Sequence, residues 1–310
     1  MGAVTKKIQD GELTGMTIVK SYLKLMRIHH YIKNCLIFAA LACSGQLFQQ
    51  GKLLSGLAGF SAFCLVSSAV YIINDIRDRE KDLHHPTKCN RPIASGAISV
   101  TRARLLTIFL LLAAAGCNAI VFHPASSLLL MLYLVLNIGY SCGMKNIPLV
   151  DVAILTSGFL IRILYGAVVT KISISNWLYL TVITFALYLS LGKRRNELQR
   201  IGGGETRKVL RFYNPEFLNR NMYMCLGLAN AFYALWCMDD RTMQHYGSSS
   251  LILTIPVVLF ITMRYSMDIE GNSDGDPVEV LIHDKSLLIL CASYLIAMFL
   301  ILYGVNRNQP

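Results

Sequence analysis

Apolar residues run in stretches of about 17 to 23, parted by polar breaks, along most of the chain. At 1.5 Å per helical residue such a stretch crosses the roughly 30 Å hydrocarbon core of a bilayer. Stretches of this kind fall at about 34–50, 53–74, 103–122, 126–143, 149–170, 175–192, 221–238, 249–265 and 286–304. Backbone polar groups have no water to bind in lipid, so segments this long are expected as helices. The pattern therefore predicts an all-α, polytopic helical bundle of about nine transmembrane helices. The weakest stretches are the first, preceded by the polar run Arg27-Ile-His-His-Tyr-Ile-Lys33, and the fifth, which contains Arg162. Residues 34–304 read as one transmembrane catalytic domain. A cytoplasmic segment with an interfacial helix (1–33) precedes it, and a short non-cytoplasmic tail (305–310) follows.

Composition agrees: 54% of residues are hydrophobic and 15% charged, against about 25% charged in soluble domains. The formal net charge of +11 is confined to breaks between apolar runs, without the aromatic-interleaved basic groove expected of a nucleic-acid binder. The breaks alternate. The N-terminal segment, 75–104, 144–148 and 193–220 are basic, whereas 51–52, 123–125, 171–174 and 239–248 are short and nearly neutral. The positive-inside rule makes the basic set cytoplasmic and places the chain in the inner (plasma) membrane with its N-terminus inside. The nine cysteines form no CxxC pair and mostly lie within apolar runs, so they read as small hydrophobes. No signal-peptide pattern precedes the first span, which is expected to serve as its own insertion signal.

The strongest chemical signal is Asn74-Asp75-Ile-Arg-Asp78-Arg-Glu-Lys-Asp82 at the end of the second span. On a continuous helix Asn74, Asp75, Asp78 and Asp82 share one face. Their mutual repulsion calls for a cation, and an oxygen-only set suits Mg²⁺, which also bridges to substrate phosphates. Lys88 and Arg91 follow as candidate clamps for phosphate oxygens. A soft-metal site at His84, His85 and Cys89 fits no usual ligand spacing.

A second set, Tyr140, Lys145 and Asp151, gathers at the boundary between the fourth and fifth spans. Arg162 lies roughly 16 Å deeper. It is expected to face the bundle interior and meet an anion, either a structural carboxylate or a substrate phosphate. Lys193-Arg194-Arg195 closes the sixth span, where positive-inside anchoring alone accounts for such a run. Gly202-Gly203-Gly204 lacks the strand and the Lys-Ser/Thr of a phosphate-binding loop. The acids Asp268, Glu270, Asp274, Asp276, Glu279 and Asp284 read as a solvated loop rather than a second metal site.

Asn74-Asp75-x-x-Asp78-x-x-x-Asp82 followed by His85-Pro86-x-Lys88-x-x-Arg91-Pro92-Ile-Ala-x-Gly96 resembles the first signature of the UbiA superfamily of intramembrane prenyltransferases. The resemblance runs from Lys33-Asn34 to about Leu288. It implies nine transmembrane helices and a cytoplasmic Mg²⁺–diphosphate site in which Asn74, Asp75, Asp78 and Asp82 hold the metal. Ring-prenylating members carry a second aspartate-rich motif after the sixth span. Here Lys193-Arg194-Arg195-x-Glu197-Leu stands in that place. With Tyr140-Ser-x-Gly-x-Lys145, Asp151, Gly158-Phe-x-x-Arg162 and the Asp276–Asp284 run, this is similar to the decaprenyl-phosphate phosphoribosyltransferase branch. That branch moves 5-phosphoribose from phosphoribosyl diphosphate to a polyprenyl phosphate. The resemblance then implies substrate-binding roles for Lys33, Asn34, Lys88, Arg91, Tyr140, Lys145, Asp151, Arg162, Lys193 and Arg194. Two rivals remain: transfer of a polyprenyl group to an aromatic acceptor, and transport of an anion, against which the short, bland outer loops argue. Whether the protein oligomerises stays open.

Overall fold

A computed structural model describes residues 15–121, 123–199, 208–246, 249–271 and 277–304, all helix, turn or loop without a strand among them. The 305–310 tail, the first fourteen residues, Gly202-Gly203-Gly204, Asp274 and Asp276 lie outside the described residues.

Helix α1 (Gly15–Met26) leads through Arg27 into a 3₁₀ segment, Ile28–Phe38, that passes into α2 (Ala39–Cys43). The long helices are α3 (Gln50–Arg77), α5 (Val100–Ala119), α6 (Pro124–Cys142), α7 (Val150–Thr170), α8 (Asn176–Gln199) and α9 (Pro215–Met238). Short α4 (Arg79–Leu83) follows α3, and α10 (Asp240–Tyr246) follows α9. The bundle closes with α11 (Ile255–Glu270), α12 (Pro277–His283) and α13 (Lys285–Phe299), the last running into a wide turn at Leu300–Gly304. The starts follow sequence signals. Ser99 accepts from the Arg102 amide, Asn214 from Glu216 and Asp284 from Ser286, with Pro124 and Pro215 in the first turns of their helices.

Six described helical segments are long and apolar enough to cross a membrane: Gln50–Arg77, Val100–Ala119, Pro124–Cys142, Val150–Thr170, Ser250–Glu270 and Lys285–Gly304. The multi-pass architecture follows from them. The nine expected spans are not all reached by this measure among the described residues. Ile28–Cys43 is apolar but shorter, and its tight 3₁₀ winding replaces the expected continuous helix over 34–50. Helices α8 and α9, at 24 residues each, are long enough. They are less apolar because each continues past its hydrophobic part, α8 into Lys193-Arg194-Arg195 and α9 out of Pro215-Glu216-Phe-Leu-Asn219-Arg220.

Helices α3 and α7 form the enclosed centre. The inner face of α3 carries Gly59, Ala62, Phe63, Val66, Ser67, Ser68, Ala69 and Ile72, all buried. Small side chains let helices approach where lipid supplies no hydrophobic drive for association. Outward positions are large and apolar, as with Leu105, Ile108, Phe109 and Leu112 on α5. The closest approach is at Gly166 of α7, where a Cβ would overlap the backbone carbonyl of Ile37. The 3₁₀ segment is thus seated against α7 by backbone, which cannot move aside as a side chain can.

Gly166→Ala should therefore destabilise the protein by roughly 1–3 kcal/mol through overpacking. Gly116→Ala, on α5 with open space at its Cβ, should not. Thermal melting of the detergent-solubilised variants checks this: equal melting temperatures for the two would refute the close approach.

Candidate functional site

Hydrogen bonds gather the C-terminal ends of α3, α6, α8 and α11 with the N-terminal end of α7 at one end of the bundle. The acidic motif lies there, and the helix that carries it is not continuous. Asp78 sits at the break between α3 and α4 with φ −86° and ψ 4°. The four side chains consequently divide into two pairs with different partners. Asn74 Oδ1 accepts from Ser141 Oγ at 2.9 Å, and Asp78 takes Lys145 Nζ at 3.2 and 3.3 Å, so this pair faces the end of α6. Asp75 and Asp82 meet other cations. Arg91 Nη1 touches both, at 3.2 Å from Asp75 Oδ1 and 2.7 Å from Asp82 Oδ2, while Arg27 Nη2 lies 2.6 Å from Asp75 Oδ1. Both carboxylates are buried, at 3% and 4% exposure. Carboxylates this enclosed need paired cations, and two arginines supply them.

Arg91 is positioned by an apolar anchor. Ile93 and Ile98 pack with Leu25, Ala69, Ile72, Ala103 and Leu110, and the Ser95 amide returns to the Arg91 carbonyl at 2.8 Å. Arg27 holds a left-handed backbone at the α1 junction (φ 52°, ψ 50°), with its guanidinium 4.7 Å above the Tyr71 ring. Such a conformation in a non-glycine residue costs energy that its contacts must offset. Sequence reasoning passed Arg27 over as one loop cation among several. Its signal was adjacency to the Ile28–Lys33 run.

Among the described residues no three acidic, histidine or cysteine side chains converge as ligands of one metal. Of the expected set of Asn74, Asp75, Asp78 and Asp82, Asp78 is paired with Lys145 and Asn74 with Ser141, while Asp75 and Asp82 lie against Arg91. Asp75 and Asp82 nonetheless share one cationic nitrogen, so a positive charge already sits between two oxygen donors. That donor set suits a hard divalent cation, which needs only one or two carboxylates when phosphates complete its shell. His85 has a local role, its Nδ1 accepting the Thr87 amide at 3.3 Å.

The other sequence candidates form two further clusters. Tyr140, Asp151 and Arg194 do meet. Arg194, fully buried, donates from Nε to Asp151, from Nη1 to Glu197 Oε2 at 2.5 Å and from Nη2 to Tyr140 Oη at 2.8 Å. Tyr213, absent from the sequence candidates, donates to the second Asp151 oxygen at 2.5 Å and accepts the Leu149 amide at 2.8 Å. Burial, and then the bond to Asp151, push the Tyr213 phenol up to about 12, so it stays protonated and donating at neutral pH. Arg162 faces the interior as expected, and its partners among the described residues are neutral oxygens rather than a structural carboxylate. It donates to Asn34 Oδ1 at 2.8 Å, the Gly158 carbonyl at 2.7 Å and Tyr133 Oη at 3.2 Å. The rings of Phe63, Tyr133 and Phe159 lie within 5.9 Å of its guanidinium carbon. A delocalised guanidinium can share its charge among several weak acceptors and ring faces where an ammonium cannot. Lys33, Lys88 and Lys193 are half-buried.

Residues 35–202 match the UbiA prenyltransferase family, more than half of the chain. The chain belongs to that family. A decaprenyl-phosphate phosphoribosyltransferase of Corynebacterium glutamicum is 31% identical to this UbiA-family protein over 287 residues, covering 91% of this chain and 86% of the relative. Its counterpart in Mycolicibacterium smegmatis is 32% identical over 291 residues, covering 90% and 91%. The UbiA homolog from Archaeoglobus fulgidus, solved bound to GPP and Mg²⁺, superposes with a TM-score of 0.67 at 18% identity, over 91% of this chain and 99% of that one. The same homolog has been solved bound to Cd²⁺, with a TM-score of 0.65. This UbiA-family chain is accordingly a multi-pass membrane transferase.

The Arg194 cluster makes a direct prediction. Asp151→Asn would leave a fully buried guanidinium without its central carboxylate, at a cost of about 3–5 kcal/mol. A melting temperature in detergent unchanged from wild type would show that the cluster does not hold α6, α7 and α8 together.

Proposed function

We propose that this protein transfers 5-phosphoribose from phosphoribosyl diphosphate to a polyprenyl phosphate at the cytoplasmic face of the inner membrane, with Mg²⁺ as cofactor. The observation that carries the reading is the pair of buried carboxylates sharing Arg91, beside a third paired with Lys145. The names of the relatives at about 30% identity over nine-tenths of the chain support the choice of substrates.

In this reading a lipid phosphate oxygen forms a bond to C1 of ribose while the bond from C1 to the diphosphate oxygen breaks. Asp75 and Asp82 would hold the divalent ion, with Asp78 and Asn74 completing the polar rim. The ion supplies Lewis-acid neutralisation of the leaving diphosphate. Arg91 is built for two states. It neutralises the carboxylates when no diphosphate is bound, and it donates to phosphate oxygens when a divalent ion takes the carboxylates. Lys145 and Lys88 add point charges to the leaving group. Lys33 and Lys193 are assigned to the ribose 5-phosphate and the lipid phosphate. The acceptor is already largely dianionic at neutral pH, with a second pKa of about 6, so it needs orientation rather than a general base. Arg162, Asn34, Tyr140, Asp151 and Arg194 serve substrate through the framework they brace.

Purified protein in proteoliposomes, given ribose-labelled phosphoribosyl diphosphate, polyprenyl phosphate and Mg²⁺, should yield labelled lipid and free diphosphate. Chelation should abolish the product, and Asp75→Ala or Asp82→Ala should cut turnover by at least about a hundredfold. Absence of labelled lipid from a preparation that prenylates an aromatic acceptor would overturn the choice of substrates.

A further inference from the structure

The loop that carries Lys145 is fastened at both ends to residues distant in sequence. It leaves α6 through Gly143 at φ +137°, makes one tight turn at Met144–Asn146 and enters α7 through Leu149 at φ +65° and ψ −34°. A branched residue rarely adopts positive φ, and holding it there requires compensating contacts. Leu149 has one: its amide donates to Tyr213 Oη at 2.8 Å. The same phenol donates to Asp151 at 2.5 Å, one residue into α7. Before the loop, Tyr140 accepts from Arg194, the guanidinium that also holds Asp151. Between these fastenings Lys145 reaches Asp78.

Tyr213 is itself well anchored. It follows the short turn Lys208–Phe212, whose Val209 and Leu210 are buried, and its ring stacks 6.4 Å from that of Phe217 at 15°. A rigid phenol thus fixes an otherwise unfavourable backbone angle at the exit of the loop.

We propose that Tyr213 is a positioning residue for the diphosphate site, holding Leu149 at positive φ so that Lys145 stays against Asp78. The proposal rests on the reading in which Asp78 and Lys145 belong to that site. Without the hydroxyl, Leu149 relaxes to negative φ and the three-residue turn swings with it. Tyr213 does not touch substrate, so it acts through what its hydroxyl holds, the Leu149 amide at the exit of the loop and the Asp151 carboxylate beside it.

Two measurements on the full-length protein in nanodiscs test this. Tyr213→Phe should speed amide hydrogen exchange over residues 143–149 and leave the interior of α7 unchanged, and this readout needs no substrate. In turnover of phosphoribosyl diphosphate, Tyr213→Phe should lower kcat/KM about tenfold, mainly through KM, as expected for the loss of a buried hydrogen bond. In a Lys145→Ala background the same change should alter kcat/KM less than about twofold, since residues acting through one another are non-additive. Leu149→Gly, which adopts positive φ freely, should restore most of the loss. Unchanged exchange at 143–149 overturns the clamp whether or not the enzyme uses phosphoribosyl diphosphate. Faster exchange with additive kinetics overturns the route through Lys145. Inactive wild-type protein with faster exchange in the variant would refute the substrate assignment while supporting the clamp.

Discussion

Carboxylates buried at the end of a membrane helix are tolerable only when cations lie against them, and that constraint organises this end of the molecule. Asp75, Asp78, Asp82 and Asp151 each draw a basic side chain from another part of the chain: Arg27 and Arg91, Lys145, Arg91 again, and Arg194. In a low-dielectric setting an unpaired member of such a set is costly, whereas the closed set is not. The loops are therefore shaped by where each cation must arrive. Arg27 takes a left-handed backbone, and Arg91 is followed by buried isoleucines. Lys145 sits in a turn bounded by two positive-φ residues.

The two halves of the acid row have distinct characters. The Asp75 and Asp82 pair shares one guanidinium nitrogen and so resembles a cation site held by the protein's own charge. Asp78 and Asn74 instead tie α3 to the end of α6 through Lys145 and Ser141. The Arg194 cluster, by contrast, is closed on itself: both Asp151 oxygens and all three guanidinium nitrogens are engaged. Its contribution is to tie the ends of α6, α7 and α8 together. The archaeal homolog shares the fold at 18% identity.

Much of this was legible in the sequence because it depends on short-range periodicity. Apolar run lengths placed α3, α5, α6, α7, α11 and α13 to within a few residues, except where polar residues extended the helix beyond its apolar run, as at Glu270 and Arg77. The i, i+4, i+8 spacing pointed to the acid row. What spacing could not supply was which cation meets each acid, since Arg27, Arg91 and Lys145 come from other segments. Arg162 was placed correctly in the interior, but its neutral cage of Asn34, Tyr133, Gly158 and three rings draws on four segments with no shared local pattern. Tyr213 carried no signal of its own. A tyrosine in a loop acquires its role only when the fold brings it to Leu149 and Asp151.

The central claim is that Asp75 and Asp82 would hold a divalent ion when a diphosphate binds, leaving Arg91 to donate to the phosphates. A cryo-EM structure of the protein in nanodiscs with Mg²⁺ and phosphoribosyl diphosphate tests it most directly. The account predicts an ion about 2.0–2.1 Å from oxygens of Asp75 and Asp82, with Arg91 turned onto the phosphates. Diphosphate bound at the opposite end of the bundle, or bound here with Arg91 still bridging the two aspartates and no ion between them, would contradict it.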